Sequence, residues 1–150
     1  MTRRTLVKTV AFPARSKPHM LRVSPDGKEV WVQTAEANTN VVLDASDLSV
    51  LSTQPTGKQP VTNAWTRDGR YSVVTNGQDT VAQIFDARTF KEVKRLTIGP
   101  GGANIGFSRD GATAFVAVRG ANDVAVIDVP KLELAGRIRA GTEPQGLIVR

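Results

Sequence analysis

Cysteine is absent from the 150 residues, which excludes disulfides, thiolate catalysis and thiolate-bound zinc or iron-sulfur centres. Histidine occurs once, at position 19, so a two-histidine zinc helix cannot be built and a Ser-His-Asp arrangement has little scope. No apolar run exceeds about six residues, as around Val124 to Ile127, whereas a membrane-spanning helix needs roughly 20. The apolar residues near the amino terminus are interrupted by Lys8 and Pro13, so no signal peptide is read there. Arg3 and Arg4 resemble a twin-arginine pair, but the long apolar stretch such a signal requires does not follow. Charged residues are 23%, apolar ones 40% and prolines only 8, a globular balance with no composition break between domains.

What the sequence does contain is a repeat. Asp26-Gly27, Asp68-Gly69 and Asp110-Gly111 recur at a step of 42 residues without a gap. Gly57, Gly99 and Gly141 keep the same step, as do Asp44, Asp86 and Asp128, and Pro18, Pro60 and Pro144 with Gly102 in the remaining slot. Each unit holds four short apolar runs with β-branched content, for example Leu21 to Val23, Val30 to Val32, Val41 to Leu43 and the stretch around Val50. Such runs read as strands. Asp-Gly falls between the first and second strand, where a turn needs a positive φ that glycine adopts without steric cost. Asp26, Gly27, Asp68, Gly69, Asp110 and Gly111 are therefore read as structural turn residues.

Four strands per unit of this length predict an all-β chain, a β-propeller arc of three four-stranded antiparallel blades with one flanking strand at each end. The blades are placed at about 18–56, 60–98 and 102–140, with half-blade strands at 5–13 and 144–150. The apolar column Val23, Trp65, Phe107 and Val149 is expected on the buried face of the innermost strand, beside the small residues Ala64 and Gly106. Propellers close with about 4 to 8 blades. The three blades here are accordingly expected to belong to a longer propeller, with an assembly of several copies as the second account.

These residues resemble the YVTN-type, YncE-like β-propeller repeat family. Ser24-Pro25-Asp26-Gly27, Val74-Thr75-Asn76 and Val126-Ile127-Asp128 carry the likeness, while Arg67 and Arg109 stand where the first repeat has Pro25. Trp31, Val73 and Phe115 occupy the family's tyrosine column. The resemblance implies a propeller and, from the family alone, a periplasmic or extracellular setting. It implies no single activity.

A blade's loop into the next innermost strand and its loop between second and third strands emerge on one face of a propeller, and that face is where a ligand is expected. Its candidate binding residues are Arg15, Lys17, His19, Lys58, Gln59, Asn76, Arg119, Asn122 and Gln145, with Glu36, Asn38, Gln78, Asp79 and Glu143 nearby. The aspartates Asp44, Asp86 and Asp128 sit one per blade, too far apart for paired-carboxylate chemistry, and are read as turn formers. Gly99-Pro100-Gly101-Gly102 precedes a strand rather than a helix and carries no phosphate-loop lysine. No catalytic residue, metal set or cofactor is expected.

The net charge of +6 is concentrated at the amino end, where Arg3, Arg4, Lys8, Arg15, Lys17, Arg22 and Lys28 face Asp26 alone. A protein or anionic partner fits that balance. Nucleic acid is disfavoured, because the basic segment interleaves only Phe12 as a stacking residue. The leading functional reading is a non-enzymatic binding or scaffold module using its loop face. The alternative is part of a redox propeller of the haem-d1 or quinoprotein dehydrogenase kind.

Overall fold

The computed structural model describes residues 5–149; the arginine pair at 3 and 4 and the last position of the carboxy-terminal half-blade lie outside them. The described residues form twelve strands in three separate four-stranded antiparallel sheets and contain no α-helix. The first sheet is β1 (Pro18–Val23), β2 (Glu29–Thr34), β3 (Thr39–Asp44) and β4 (Val50–Pro55). The second is β5 (Pro60–Trp65), β6 (Tyr71–Asn76), β7 (Val81–Asp86) and β8 (Glu92–Thr97). The third is β9 (Gly102–Phe107), β10 (Thr113–Val118), β11 (Asp123–Asp128) and β12 (Glu133–Arg139), interrupted by one 3-10 turn at Arg119–Ala121. Strands pair strictly in sequence order, each sheet a meander, and the innermost strands β1, β5 and β9 touch from sheet to sheet. The arc is open.

The Asp-Gly turns owe their shape to more than glycine. Gly27, Gly69 and Gly111 have φ of 77°, 70° and 75°. Two residues before each aspartate stands a hydroxyl, and Ser24, Thr66 and Ser108 donate to the carboxylates of Asp26, Asp68 and Asp110 at 2.7, 2.6 and 2.5 Å. The same hydroxyls accept the backbone N–H that opens the following strand, at 3.0 Å in all three turns. Each carboxylate in turn accepts from the backbone N–H two residues on. The loop is thus closed from inside by two side chains, which satisfies backbone groups that water would otherwise take. Asp44 and Asp86 close the β3–β4 and β7–β8 loops in the same manner, accepting from Ser46 N and from Arg88 N and Thr89 N.

The two seams between sheets differ in chemistry. Between the second and third sheets, Val73, Ile84, Leu96 and Ile98 pack on Ile105, Val116, Val118 and Ile127. Full burial of each such side chain contributes roughly 1.5–3 kcal/mol. Between the first and second sheets, an aromatic cluster sits at the turn end: Trp31, fully buried, meets Trp65, Phe85 and Phe90 edge-on at centroid distances of 5.7, 6.3 and 6.0 Å. Toward the loop end this seam becomes polar. Gln33 Nε2 donates to Asn40 Oδ1 and Asn63 Oδ1 at 2.9 and 3.1 Å, and Asn63 Nδ2 donates to Ser72 Oγ at 2.9 Å. All of these side chains are buried.

The flanking segments 5–13 and 144–149 do not form strands. A strand exists through its ladder, and the middle strands that would pair with these segments have no counterpart in the described residues. They act as covers instead: Val10 and Phe12 pack on Val32, Val41 and Leu43, while Leu147 and Val149 lie against Gly106. The innermost apolar column is buried only where a neighbouring sheet faces it. Trp65 is 9% exposed, but Val23 is 53% exposed on the outward side of the first sheet.

Candidate functional site

Two recurrent backbone features build the loop face. The first is a left-handed residue just before each innermost strand: Lys17, Gln59, Gly101 and Glu143 have φ of 50°, 54°, 80° and 48°. In this conformation the carbonyl of residues 17, 59 and 101 turns toward the loop between second and third strands. It accepts from Ala35 N, Gly77 N and Arg119 N at 2.9, 2.7 and 3.0 Å. Side chains reinforce the dock, since Asn38 Oδ1 accepts from Gln59 N at 2.8 Å, Asp79 Oδ2 from Lys58 N at 3.3 Å, and Asn122 Oδ1 from Glu143 N at 2.9 Å. The two loop sets expected on one face are therefore joined into a single rim.

The second feature is a bulge. The pairing of innermost with second strand slips by one residue between Pro18 and Met20, between Pro60 and Thr62, and correspondingly in β9 opposite Val116 and Val118. A bulge rotates the extra residue out of the alternation and aims it elsewhere. Here His19, Val61 and Ala103 all face one cavity of about 290 Å³, which Gln59, Asn104, Arg119 and Gln145 also line. His19 Nδ1 lies 3.1 Å from Val61 O. A carbonyl can only accept, so Nδ1 donates in this contact and Nε2 is left outside it.

Of the nine candidate residues, the structure brings four together on this cavity: His19, Gln59, Arg119 and Gln145. Lys17 and Lys58 lie farther out on the rim with Gln59, and Lys17 pairs with Glu36 at 3.4 Å. Arg15 is exposed on the approach to β1 and does not line the cavity. Asn122 is spent on the dock already described. Asn76 is a correction: expected among the ligand contacts, it is fully buried, with Nδ2 donating to Val81 O at 3.0 Å and to Gln83 Oε1 at 3.3 Å. Position 76 ends a second strand with its side chain turned into the polar seam, away from the rim.

Two contributors escape a reading of the sequence. Asn104 joins the lining from β9, and Gly77 makes room for Arg119: a Cβ built on Gly77 would stand 3.1 Å from Arg119 Nη2 and 2.9 Å from Val61 Cγ2. For Gly77 the signal was the repeat itself, since position 119 holds Arg where the other units hold Ala35 and Gly77; Asn104 stands in a column with Met20, Thr62 and Gly146 that carries no such signal. On the opposite face, cavities run between the Asp-Gly turns, one of them lined by Asp26, Lys28, Trp65, Arg67 and Arg88. The three turn carboxylates there are held below the usual aspartate range, first by the Ser24, Thr66 and Ser108 hydroxyls and then by the backbone N–H groups they accept. Glu92 is likewise held low, foremost by Arg95, whose guanidinium meets it through two contacts of 2.8 Å. Among the described residues no group of three or more histidine, aspartate or glutamate side chains is placed to share a metal ion.

No family model and no curated protein matches the sequence. Among solved structures the chain is similar to Kuenenia stuttgartiensis hydrazine synthase, at 26% identity over 94% of this chain and 41% of that one, with a TM-score of 0.82. It is similar to the WD40 repeats of RRP9 at 13% identity, 86% and 40% coverage and a TM-score of 0.77. A dihydro-heme d1 dehydrogenase follows at 21% identity, 79% and 27% coverage and a TM-score of 0.70. The chain thus spans about two fifths of the hydrazine synthase chain it matches. These likenesses agree with the three open sheets, and the chain has a β-propeller fold.

Proposed function

We propose that this chain is a binding module whose ligand sits at the loop face, in the cavity where the three innermost strands meet. The observation that carries the reading is the convergence of the bulged residue His19 with Gln59, Arg119 and Gln145 on one cavity, held by a rim that is hydrogen-bonded in every repeat. A rim fixed before binding spends little on ordering when a ligand arrives. The YVTN-type repeat pattern and the likeness to WD40 repeats are compatible with a protein or an anionic ligand as partner. A thermal-shift screen of the 150-residue chain against peptides, sugars, organic acids and haem tests the reading. The expectation is a saturable shift that is lost in Gln59→Ala combined with Gln145→Ala and kept in Arg67→Ala on the opposite face. A shift lost only in Arg67→Ala would refute it.

A second reading makes the chain part of a redox propeller. Its support is His19, whose Nε2 takes no part in the contact with Val61 O and is the ring nitrogen left to serve as an axial ligand, together with the likeness to a dihydro-heme d1 dehydrogenase. With about 290 Å³ available, a macrocycle would lie across the rim rather than inside it. A Soret band on haem addition, abolished by His19→Ala, would favour this reading; its absence removes it.

A further inference from the structure

Among the described residues Arg119 is the rim cation whose side chain carries a buried nitrogen without a partner. Its Nε is buried with no hydrogen bond, and none of the ion pairs among the described residues reaches its guanidinium. Arg137, on the exposed outermost strand of the same sheet, is by contrast matched: Nη1 lies 3.1 Å from both oxygens of Asp123. A guanidinium nitrogen buried without an acceptor is destabilising, so such a group persists where something else supplies the acceptor. The scaffold does not need Arg119, because Ala35 and Gly77 fill its place in the other two sheets with the same backbone dock. Its side chain reaches back across the seam to Gly77, where even a methyl group would crowd Nη2.

The rest of the cavity lining contains no acidic residue. Gln59, Asn104, Gln145 and His19 share the lining with Arg119, and Val61 and Met20 are its larger apolar members. One guanidinium beside the amide side chains of Gln59, Asn104 and Gln145 balances a single negative charge, whereas a phosphate dianion calls for a second cation. About 290 Å³ is a small site, near the lower bound for organic ligands.

We propose that this cavity binds a small organic monocarboxylate, with Arg119 gripping the carboxylate and Val61 and Met20 covering the remainder. The proposal rests on the loop face being the binding face. Benzoate titrated into the 15N-labelled chain at constant ionic strength, followed by amide chemical shifts, tests it, with inorganic phosphate in a parallel titration. Saturable shifts are expected around Gln59, Asn104 and Arg119, weakened at least tenfold in Arg119→Gln and less in Arg119→Lys, which keeps the charge but loses the fork. Arg139→Gln, an exposed change on the outermost strand, serves as the control for general charge. No saturable shift with benzoate, equal binding by Arg119→Gln, or tighter binding of phosphate would each overturn the carboxylate assignment. The haem, sugar and peptide arms of the thermal-shift screen are independent of that outcome, so a neutral ligand bound at the rim would sink the carboxylate while sparing the loop-face reading.

Discussion

Trp31 concentrates more of the first seam's apolar contact than any other side chain, with three aromatic partners and its Nε1 satisfied by Glu29 at 2.8 Å. Truncation to alanine leaves a cavity that neither sheet can close, and a loss of about 3–5 kcal/mol is expected from urea unfolding. A loss under about 1 kcal/mol would show that the two sheets collapse onto the gap. At this scale the sequence was legible wherever chemistry repeats and obscure wherever it does not. Gly27, Gly69 and Gly111 announced their positive φ because only glycine is at ease there. Lys17, Gln59 and Glu143 adopt the same region without a glycine, and nothing but Gly101 in their column hinted at it. Asn63, Gln33 and Gln83 read as surface residues by type, yet all three are fully buried, because they satisfy one another or nearby backbone groups across a seam no single strand reveals.

The element most open to test is the Asp-Gly turn. Asp26, Asp68 and Asp110 are more acidic folded than an ordinary aspartate near 3.9, so each contributes stability that is complete above that value and is lost as pH falls through the depressed folded value. Glu92 adds to the same acid limb from about 4.3 downward. Removing the hydroxyls in Ser24→Ala, Thr66→Ala and Ser108→Ala together should flatten the fall in stability below about pH 4; an unchanged acid limb would place the pH dependence elsewhere. The carboxy-terminal cover is a second element, held to β9 by Asn104 N donating to Gln145 O at 3.2 Å and by Leu147 and Val149 against Gly106. In Gly106→Ala the new Cβ would stand 2.8 Å from Leu147 Cδ1, so residues 144–149 should exchange amide hydrogens faster while β9 and β10 keep their protection. Protection lost along β9 as well would mean that the cover helps to hold the strand. The repeat columns placed every strand in this set, whereas the covers at 5–13 and 144–149 were misread as strands, since apolar alternation alone does not say whether a ladder partner is present.

Across the whole arc the sheets are joined by unlike cements. The main contacts run between adjacent sheets, so stability is close to a sum over sheets and seams. The first seam leaves Gln33 Oε1, Gln54 Nε2, Asn76 Oδ1 and Trp65 Nε1 buried without partners, each a cost of roughly 1–3 kcal/mol, while the second seam is apolar through its centre. Native-state hydrogen exchange should therefore show β1–β4 opening at lower free energy than the strands of the second and third sheets; the reverse order would mean that the polar network binds more tightly than its orphans imply. Residues 17 and 35, 59 and 77, and 101 and 119 are tied to one another by main-chain hydrogen bonds. A joint that ignores side-chain identity makes each 42-residue unit a cassette, free to be swapped or duplicated while its rim residues diverge. Arg119 is what such freedom leaves behind: one cassette specialised, its neighbours kept plain to accommodate it.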